Sequence, residues 1–100
     1  MKSITIIGNI GANAIVRTAS DGRQLMSFSV AVSRKDKPTT WFGVVSPLRE
    51  NLIGYLVKGQ CVCVIGDLDA KVYKDTPDLT VNADRIELCG SAPDKQDEQL

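Results

Sequence analysis

One segment of the chain, Leu25–Ser33, alternates from Met26 onward between apolar side chains and small ones. Met26, Phe28, Val30 and Val32 occupy every second position, and serine or alanine stands between them. Successive side chains of a β-strand point to opposite faces, so this pattern predicts a strand with one buried face. Such a strand requires partners with a matching apolar face, so we expect a sheet that packs on a core.

Further segments have the β-branched composition that is typical of strands. Asp21-Gly22 predicts a hairpin turn before Leu25–Ser33, because Asp and Gly tolerate positive φ. Gly66 lies midway along the longest segment, where we expect the strand to bend. The first predicted strand is Lys2–Ile10, which has a short continuation over Ala14–Thr18. The remaining predicted strands are Thr39–Val45, Gln60–Tyr73 and Leu79–Cys89.

One helix is predicted between the third and fourth strands. Ser46 suits the N-cap position and Pro47 suits the first helical position. Lys58-Gly59 is a typical helix C-terminus, with a cation in the last turn and a glycine after it. We therefore expect a helix from Ser46-Pro47 to Lys58. Its apolar stripe would contain Leu48, Leu52, Ile53 and Leu56.

This order of elements predicts an all-β fold, a five-stranded OB-fold Greek-key barrel with one α-helix between strands 3 and 4. An SH3-like barrel is the main alternative, but it has no helix at this place. The 100 residues suffice for one domain. We expect that domain over residues 1–90, followed by a short polar tail without fixed structure over 91–100.

The residue types argue against catalysis. The chain has no histidine, so it lacks the commonest general base and the commonest zinc ligand. It also has no glycine-rich phosphate loop before a helix. Asp67 and Asp69 could form a carboxylate pair, but we interpret them as exposed, solubilising residues. We therefore predict a protein that is not an enzyme and that uses no cofactor and no metal ion.

The three cysteines, Cys61, Cys63 and Cys89, are expected to be small buried hydrophobic residues, with redox chemistry as the minor alternative. A metal site would need about four ligands, and thiol catalysis would need a histidine partner. An odd number of cysteines without a secretory signal is typical of the reducing cytoplasm. No apolar run approaches the roughly 20 residues of a membrane span, so we expect a cytoplasmic protein without membrane contact.

The charges balance over the whole chain but not along it. Residues 1–58 carry eight basic and three acidic residues, a net charge of +5, whereas residues 59–100 carry a net charge of −5. A ligand responds to the local field rather than to the net charge. We therefore favour a basic groove for nucleic acid over the alternative, a solvated surface with chance unevenness.

Two aromatic positions are candidates for contact with a ligand. Trp41 and Phe42 are adjacent in a predicted strand, so one of them must lie outside the core. Tyr73 stands between Lys71 and Lys74 at the end of another strand. Aromatic residues interleaved with cations are typical of proteins that bind single-stranded nucleic acid, because the rings stack on bases and the cations contact phosphates.

Seven short stretches of the chain carry a resemblance to a known family. They are Ile6–Gly11, Val16-Arg17, Asp21-Gly22, Phe28–Ala31, Thr40-Trp41, Tyr55–Gly59 and Val64–Leu68. Each is weak alone, but in this order and at this spacing they resemble the bacterial single-stranded DNA-binding proteins. The resemblance covers about residues 1–90.

The resemblance implies sequence-independent binding and protection of single-stranded DNA in DNA replication, repair and recombination. It also implies a nucleoid-associated homo-oligomer, usually a homotetramer with a dimer as the alternative, and possible contacts with replication or repair proteins. Trp41 matches a base-stacking tryptophan of the family, and Tyr73 stands where another usually lies. The expected phosphate-binding residues are Arg17, Arg34, Lys35, Lys37, Lys58, Lys71 and Lys74.

The chain departs from the family pattern in three places. A shorter loop containing Arg34–Lys37 replaces a further stacking tryptophan, and Pro47 replaces a common phenylalanine. The loss of two aromatic residues that stack on bases, worth about 1–3 kcal/mol each, would weaken the binding of DNA by each subunit. The family's long tail with an acidic tip is reduced to residues 91–100. An OB-fold primosomal accessory protein, which acts mainly through protein contacts, is therefore the alternative function.

Overall fold

The computed structural model describes residues 3–90 and consists of six β-strands and one short helix. The strands are β1 (Ser3–Ile10), β2 (Ile15–Thr18), β3 (Gln24–Val32), β4 (Thr40–Pro47), β5 (Cys61–Tyr73) and β6 (Thr76–Cys89), and the helix α1 covers Glu50–Ile53. The expected tail over 91–100 lies outside the described residues. No helix within 3–90 is long and apolar enough to cross a membrane.

One sheet contains all six strands in the order β1-β5-β6-β4-β3-β2, and it closes on itself because β1 also pairs with β3. The closing contact is short, with Asn9 opposite Ala31 and Ile10 opposite Val30. β4 and β6 run parallel, whereas the other pairs are antiparallel. A closed ring is thus formed by β1, β3, β4, β5 and β6, which follow one another along the chain in the order that the sequence predicts. The predicted continuation of the first strand is a separate sixth strand, β2.

The apolar core lies inside this ring and uses alternate positions of each strand. Met26, Phe28 and Val30 are the buried residues of β3, as its alternation predicts. In β4, Phe42 is buried, so the adjacent Trp41 points outward and is 55% exposed. The other buried apolar residues are Ile6, Ile10, Val44, Leu56, Val62, Val64, Val81, Ala83 and Ile86.

The helix is much shorter than the sequence predicts, and it begins later. Ser46 and Pro47 do not start a helix but extend β4, where they pair with Met26 and Leu25 of β3. Within the part of the chain that the structure describes, only the single turn Glu50–Ile53 is helical. Pairing along the sheet supplies hydrogen bonds and buries Ser46, and it therefore outweighs the local capping signal at this position.

The apolar stripe predicted for the longer helix nevertheless packs against the core. Leu56 is fully buried although it lies beyond α1. Its carbonyl oxygen accepts a hydrogen bond from the backbone N–H of Ala14 at 2.8 Å, which ties this segment to the chain before β2. The partly buried members of the stripe are Leu48, Leu52 and Ile53.

The β5–β6 hairpin has a tighter turn than predicted. Lys74 and Asp75 form the turn with φ values of 49° and 66°, and Tyr73 lies opposite Thr76. Positive φ at both central residues is typical of a two-residue hairpin turn that matches the twist of its strands. β6 therefore begins at Thr76, before the predicted start at Leu79.

At Gly66, where a bend of the strand is predicted, the pairing of the strand is irregular. The register of the β5–β6 pairing shifts between Ile65 and Gly66. The backbone of β6 approaches so closely here that a β-carbon on Gly66 would collide with the carbonyl oxygen of Asn82. Only glycine therefore permits this approach without a shift of the backbone.

Contrary to the expectation from the sequence, the cysteines lie outside the core. Cys61, Cys63 and Cys89 occupy the outer face of β5 and β6 and are half-buried. Among the described residues, no group of three or more cysteines and carboxylates is placed to hold a metal ion.

Candidate nucleic-acid interface

A groove of about 460 Å³ crosses the outer face of β2, β3 and β4 and reaches β6. Its floor contains Ser27 and Ser29 of β3 and Gly43 of β4. Ser29 lies directly opposite Gly43, and Ser27 lies opposite Val45. The small residues that alternate with the core residues of β3 therefore form the floor of a depression in the surface.

Larger side chains border this floor on two sides. Ile15 and Arg17 of β2 line one wall, and Ile15 lies opposite Ser27 of the floor. Asp78 and Thr80 of β6 line the other wall. The groove thus has a cationic residue on its β2 side and an anionic residue on its β6 side.

Trp41 lies on the same outer face, at the end of the groove floor. It is opposite Ala31, one outward-facing position along β4 from Gly43. Its six-membered ring packs against Gly11, because a β-carbon there would be 2.5 Å from Cζ3 and 2.8 Å from Cη2. The backbone N–H of Gly11 donates to the carbonyl oxygen of Ser29 at 3.0 Å, which anchors this contact to the groove floor.

The predicted loop cations lie at the Trp41 end of the groove. Their loop leaves β3 after Val32, whose partner Thr40 directly precedes Trp41. The loop contains a turn in which Asp36 has a φ of 62°. Its basic side chains are all exposed: Arg34, Lys35 and Lys37.

Arg17 and Lys58 approach the groove from other elements. Arg17 lies opposite Leu25, six residues from Ala31 along β3, which corresponds to about 20 Å. The backbone N–H of Lys58 donates to the side-chain oxygen of the groove residue Asn13 at 2.9 Å. Within residues 3–90, neither Arg17 nor Lys58 forms an ion pair, so no carboxylate of the described residues offsets either of them at close range.

The hairpin carries the remaining predicted residues beyond the β6 wall. Lys71 lies opposite Asp78, and its Nζ is 3.7 Å from Oδ2 of Asp69. Lys74 occupies the turn, and Tyr73 ends β5, where the structure describes its backbone alone. The positive charge of Lys71 is therefore partly offset by neighbouring carboxylates.

The comparison with protein families agrees with this architecture. Residues 1–89 match the model of the Single-strand binding protein family. The chain belongs to this family. The match includes every ring strand and both walls of the groove, and it confirms the resemblance drawn from the seven sequence stretches.

Solved structures with the same fold include single-stranded DNA-binding proteins from two organisms. A mitochondrial single-stranded DNA binding protein from S. cerevisiae is 25% identical, with a TM-score of 0.70 over 87% of this chain and 92% of that one. The small single-stranded DNA-binding protein from Streptomyces coelicolor is 23% identical, with a TM-score of 0.73 over 90% and 96% of the two chains. The second likeness concerns the fold alone, and together they confirm the predicted OB-fold.

Of the residues that line the groove, sequence reasoning named only Arg17 as a site residue. Asp78 lines the groove, although the acidic half of the chain gave no reason to place a carboxylate there. Gly11 supports the ring of Trp41, and only the three-dimensional contact reveals that role. The sequence did contain a signal for the groove floor, namely Ser27 and Ser29. Two small polar side chains on the outward face of one strand leave a depression in the surface there.

Proposed function

We propose that this chain binds single-stranded DNA without sequence preference and protects it during replication, repair and recombination, without catalytic turnover. The observation that carries this proposal is the half-exposed Trp41 at the end of a groove with a small, polar floor. Membership of the single-strand binding protein family supports it. The S. cerevisiae neighbour, at 25% identity, is itself named a single-stranded DNA binding protein.

Trp41 is proposed to stack on a base. Stacking on an aromatic side chain is worth about 1–3 kcal/mol per base, and it does not select a sequence because every base has a π-face. Contact with Gly11 holds the ring in place before DNA binds, so little side-chain freedom is lost on stacking. We propose Tyr73, at the end of β5, as a second platform.

Basic residues are proposed to contact the phosphates along the groove and beside it on the β5–β6 hairpin. They extend from Arg17 at one end to the loop cations beside Trp41 at the other. If each subunit engages about four phosphates, the log–log salt dependence of the affinity has a slope near −2.8. The proposed set is Arg17, Arg34, Lys35, Lys37, Lys58, Lys71 and Lys74.

The fluorescence of Trp41 tests this proposal directly, because the chain contains a single tryptophan. We expect poly(dT) to quench the emission of the purified protein, and we expect added salt to reverse the quenching. No quenching and no gel retardation of oligo(dT) at low salt would contradict the proposal. That outcome would leave the accessory role, in which the protein acts through contacts with other proteins.

Two variants and a matched control locate the binding surface. Trp41→Ala should lower the affinity for labelled oligo(dT) by about 1–3 kcal/mol and leave the fold intact, because the side chain is half exposed. Arg17→Ala should lower the affinity and make the salt slope less steep. Arg85→Ala is the control, because Arg85 pairs with Glu87 at 3.1 Å and does not line the groove.

We further propose a homo-oligomer, with a tetramer expected and a dimer as the alternative. Within the described residues, β1 pairs with β3 only at Asn9 and Ile10, so Ser3–Gly8 has one unpaired edge. Ile7 is 60% exposed beside the half-buried Cys63. An unpaired edge next to exposed apolar side chains supports pairing with another copy. Sedimentation equilibrium of the wild type and of Ile7→Glu tests this, and we expect the variant to dissociate.

The proposed ligand also suggests where the protein acts. We propose that it works in the cytoplasm on nucleoid DNA, with replication or repair proteins as partners. The odd number of cysteines supports a reducing compartment. Fractionation of cells that express the protein should recover it with DNA, and nuclease treatment should release it.

A further inference from the structure

Two of the three cysteines meet across the β5–β6 hairpin, at the end opposite its turn. Cys61 begins β5, Cys89 ends β6, and the two are directly opposite each other in the antiparallel register. Their Sγ atoms are 2.6 Å apart. We propose that Cys61 and Cys89 form a dithiol that small-molecule disulfides oxidise to an intramolecular disulfide, a modification site separate from the DNA-binding groove.

The backbone already provides the spacing that such a bond needs. Directly opposed residues of antiparallel strands have Cα atoms about 4.5 or 5.5 Å apart. Disulfides span Cα separations of about 4.4–6.8 Å. The two strands can therefore keep their register when the bond forms.

A buried side chain holds the two strand ends together. Gln60 is 1% exposed, and its Nε2 donates to the carbonyl oxygens of Cys61 at 2.9 Å and of Cys89 at 3.1 Å. This bridge positions the two cysteines relative to each other. It favours an intramolecular bond over reaction with a second molecule, because the partner thiol is already in place.

Cys63 lacks such a partner. It lies on the same face as Cys61, but it is opposite Ile7 on β1 and Glu87 on β6. Residues two apart on one strand are about 6.6 Å apart, and their parallel side chains do not reach the Cβ separation of about 3.8 Å that a disulfide needs. Cys63 is therefore an internal control, a cysteine that we expect to remain a free thiol when the pair is oxidised.

The environment of Cys89 affects how readily the pair reacts. Burial, followed by the hydrogen bond to Cys61 and the charges of Cys61 and Cys63, raises the pKa of Cys89 to about 11. Thiol–disulfide exchange begins with attack by a thiolate. The raised pKa leaves little thiolate on Cys89 near neutral pH, so we expect slow exchange.

With oxidised glutathione as the oxidant, the exchange has two steps. The thiolate of one cysteine of the pair attacks one glutathione sulfur, which forms a mixed disulfide and releases a glutathione thiolate. The sulfur of the other cysteine then attacks the cysteine sulfur of this mixed disulfide and displaces the second glutathione thiolate, which takes up the proton that the second cysteine gives up. In sum the protein loses two electrons and two protons, and one oxidised glutathione becomes two reduced molecules.

The pair lies outside the proposed DNA-binding groove. None of the three cysteines lines the groove, and Lys74 and Asp75 of the turn stand at the other end of the hairpin. We therefore expect oxidation to leave the affinity for oligo(dT) unchanged. The urea midpoint of unfolding should shift upwards, because the bond restricts the unfolded chain between residues 61 and 89. Failure of this inference is thus distinguishable from failure of DNA binding.

Peptide mapping of the full chain tests the inference. The protein is incubated with oxidised glutathione, denatured in acid, alkylated with N-ethylmaleimide and digested for mass spectrometry. We expect a linked Cys61–Cys89 peptide and alkylation at Cys63 alone, and we expect dithiothreitol to restore alkylation at all three positions. A lasting glutathione adduct at Cys61 or Cys89, a bridge that includes Cys63, or intermolecular bonds alone would overturn the inference.

Single substitutions provide the controls. Cys63→Ser should form the same linked peptide and leave no thiol to alkylate. Cys61→Ser should keep two thiols, and the oxidant should no longer raise its urea midpoint. An equal rise in Cys61→Ser would overturn the inference. If Cys61→Ser does not fold, the peptide map of the wild-type protein alone tests whether Cys61 and Cys89 form a disulfide.

Discussion

The six-membered ring of Trp41 lies against the backbone of Gly11, so closely that a β-carbon at position 11 would approach ring atom Cζ3 to 2.5 Å. Gly11→Ala should therefore displace the indole while the barrel stays folded, because the ring is half exposed and can rotate away. We expect the affinity for oligo(dT) to fall by up to the roughly 1–3 kcal/mol of one stacked base. Anisotropy of labelled oligo(dT) measures the loss, and tryptophan emission reports the displaced ring.

Gly54→Ala is the matched control for this variant. A β-carbon on Gly54 has no neighbour within 4 Å, and its φ of −67° suits alanine. Its affinity and emission should equal those of the wild type. If Gly11→Ala shifts the emission but binds DNA normally, Trp41 is not a stacking platform.

The groove floor can be filled without disturbing the fold. A β-carbon on Gly43 would be 3.8 Å from the carbonyl oxygen of Leu79 and 4.0 Å from Oγ1 of Thr80, which are ordinary contacts. Gly43→Ala should be neutral or up to about 1 kcal/mol more stable, because glycine is unfavourable within a strand. Gly43→Leu should fold as well, but its side chain would occupy the floor and weaken DNA binding severalfold. Urea unfolding and anisotropy separate the two effects, and normal binding by Gly43→Leu would exclude the groove as the path of DNA.

The alternation of strands made part of this site predictable. Trp41 and Phe42 had to point in opposite directions, and the ring buries Phe42 and leaves Trp41 outside. The inward-facing residues of β3 were predictable for the same reason, because alternate residues of a strand can face only one of two sides of the sheet. These predictions succeeded because they depend on neighbours in the sequence.

Features that depend on pairing between distant segments were not predictable. Ser46 and Pro47 have a good local signal for a helix start, yet pairing with β3 keeps them in β4. The contact between Cys61 and Cys89 depends on the register of a long hairpin with a shift at Gly66. Local residue patterns contain no measure of such register, so these features require the folded structure.

The turn before β3 should respond to pH. Asp21 accepts hydrogen bonds from the backbone N–H of Arg23 at 3.0 Å and from Nε of Arg23 at 2.7 Å. The backbone bond, followed by the side-chain bond and the charge of Arg23, holds the pKa of Asp21 below its ordinary value of 3.8. The unfolded chain therefore binds the proton more readily, so this contribution to stability is present above the ordinary pKa and disappears as the pH falls through the folded pKa.

Carboxyl chemical shifts and Asp21→Asn check this prediction. A titration followed by NMR should give a midpoint for Asp21 below the ordinary value. The small difference in thermal stability between wild type and Asp21→Asn should shrink as the pH falls from 5 towards 2. A difference that stays constant over this range would show that charge on Asp21 has no part in it.

Asp78 is the acidic residue of the groove wall, and removing its charge should strengthen DNA binding. Two like unit charges about 7 Å apart in water repel by about 0.6 kcal/mol. Asp78→Asn should therefore raise the affinity for oligo(dT) by up to about threefold at low salt, and the gain should fade near 0.15 M salt, where the screening length is about 8 Å. Asp84→Asn is the matched control, because Asp84 is an exposed acidic residue of β6 outside the groove. If Asp78→Asn has no effect while Arg17→Ala weakens binding, the DNA follows the β2 wall; if neither changes the affinity, the DNA does not enter the groove.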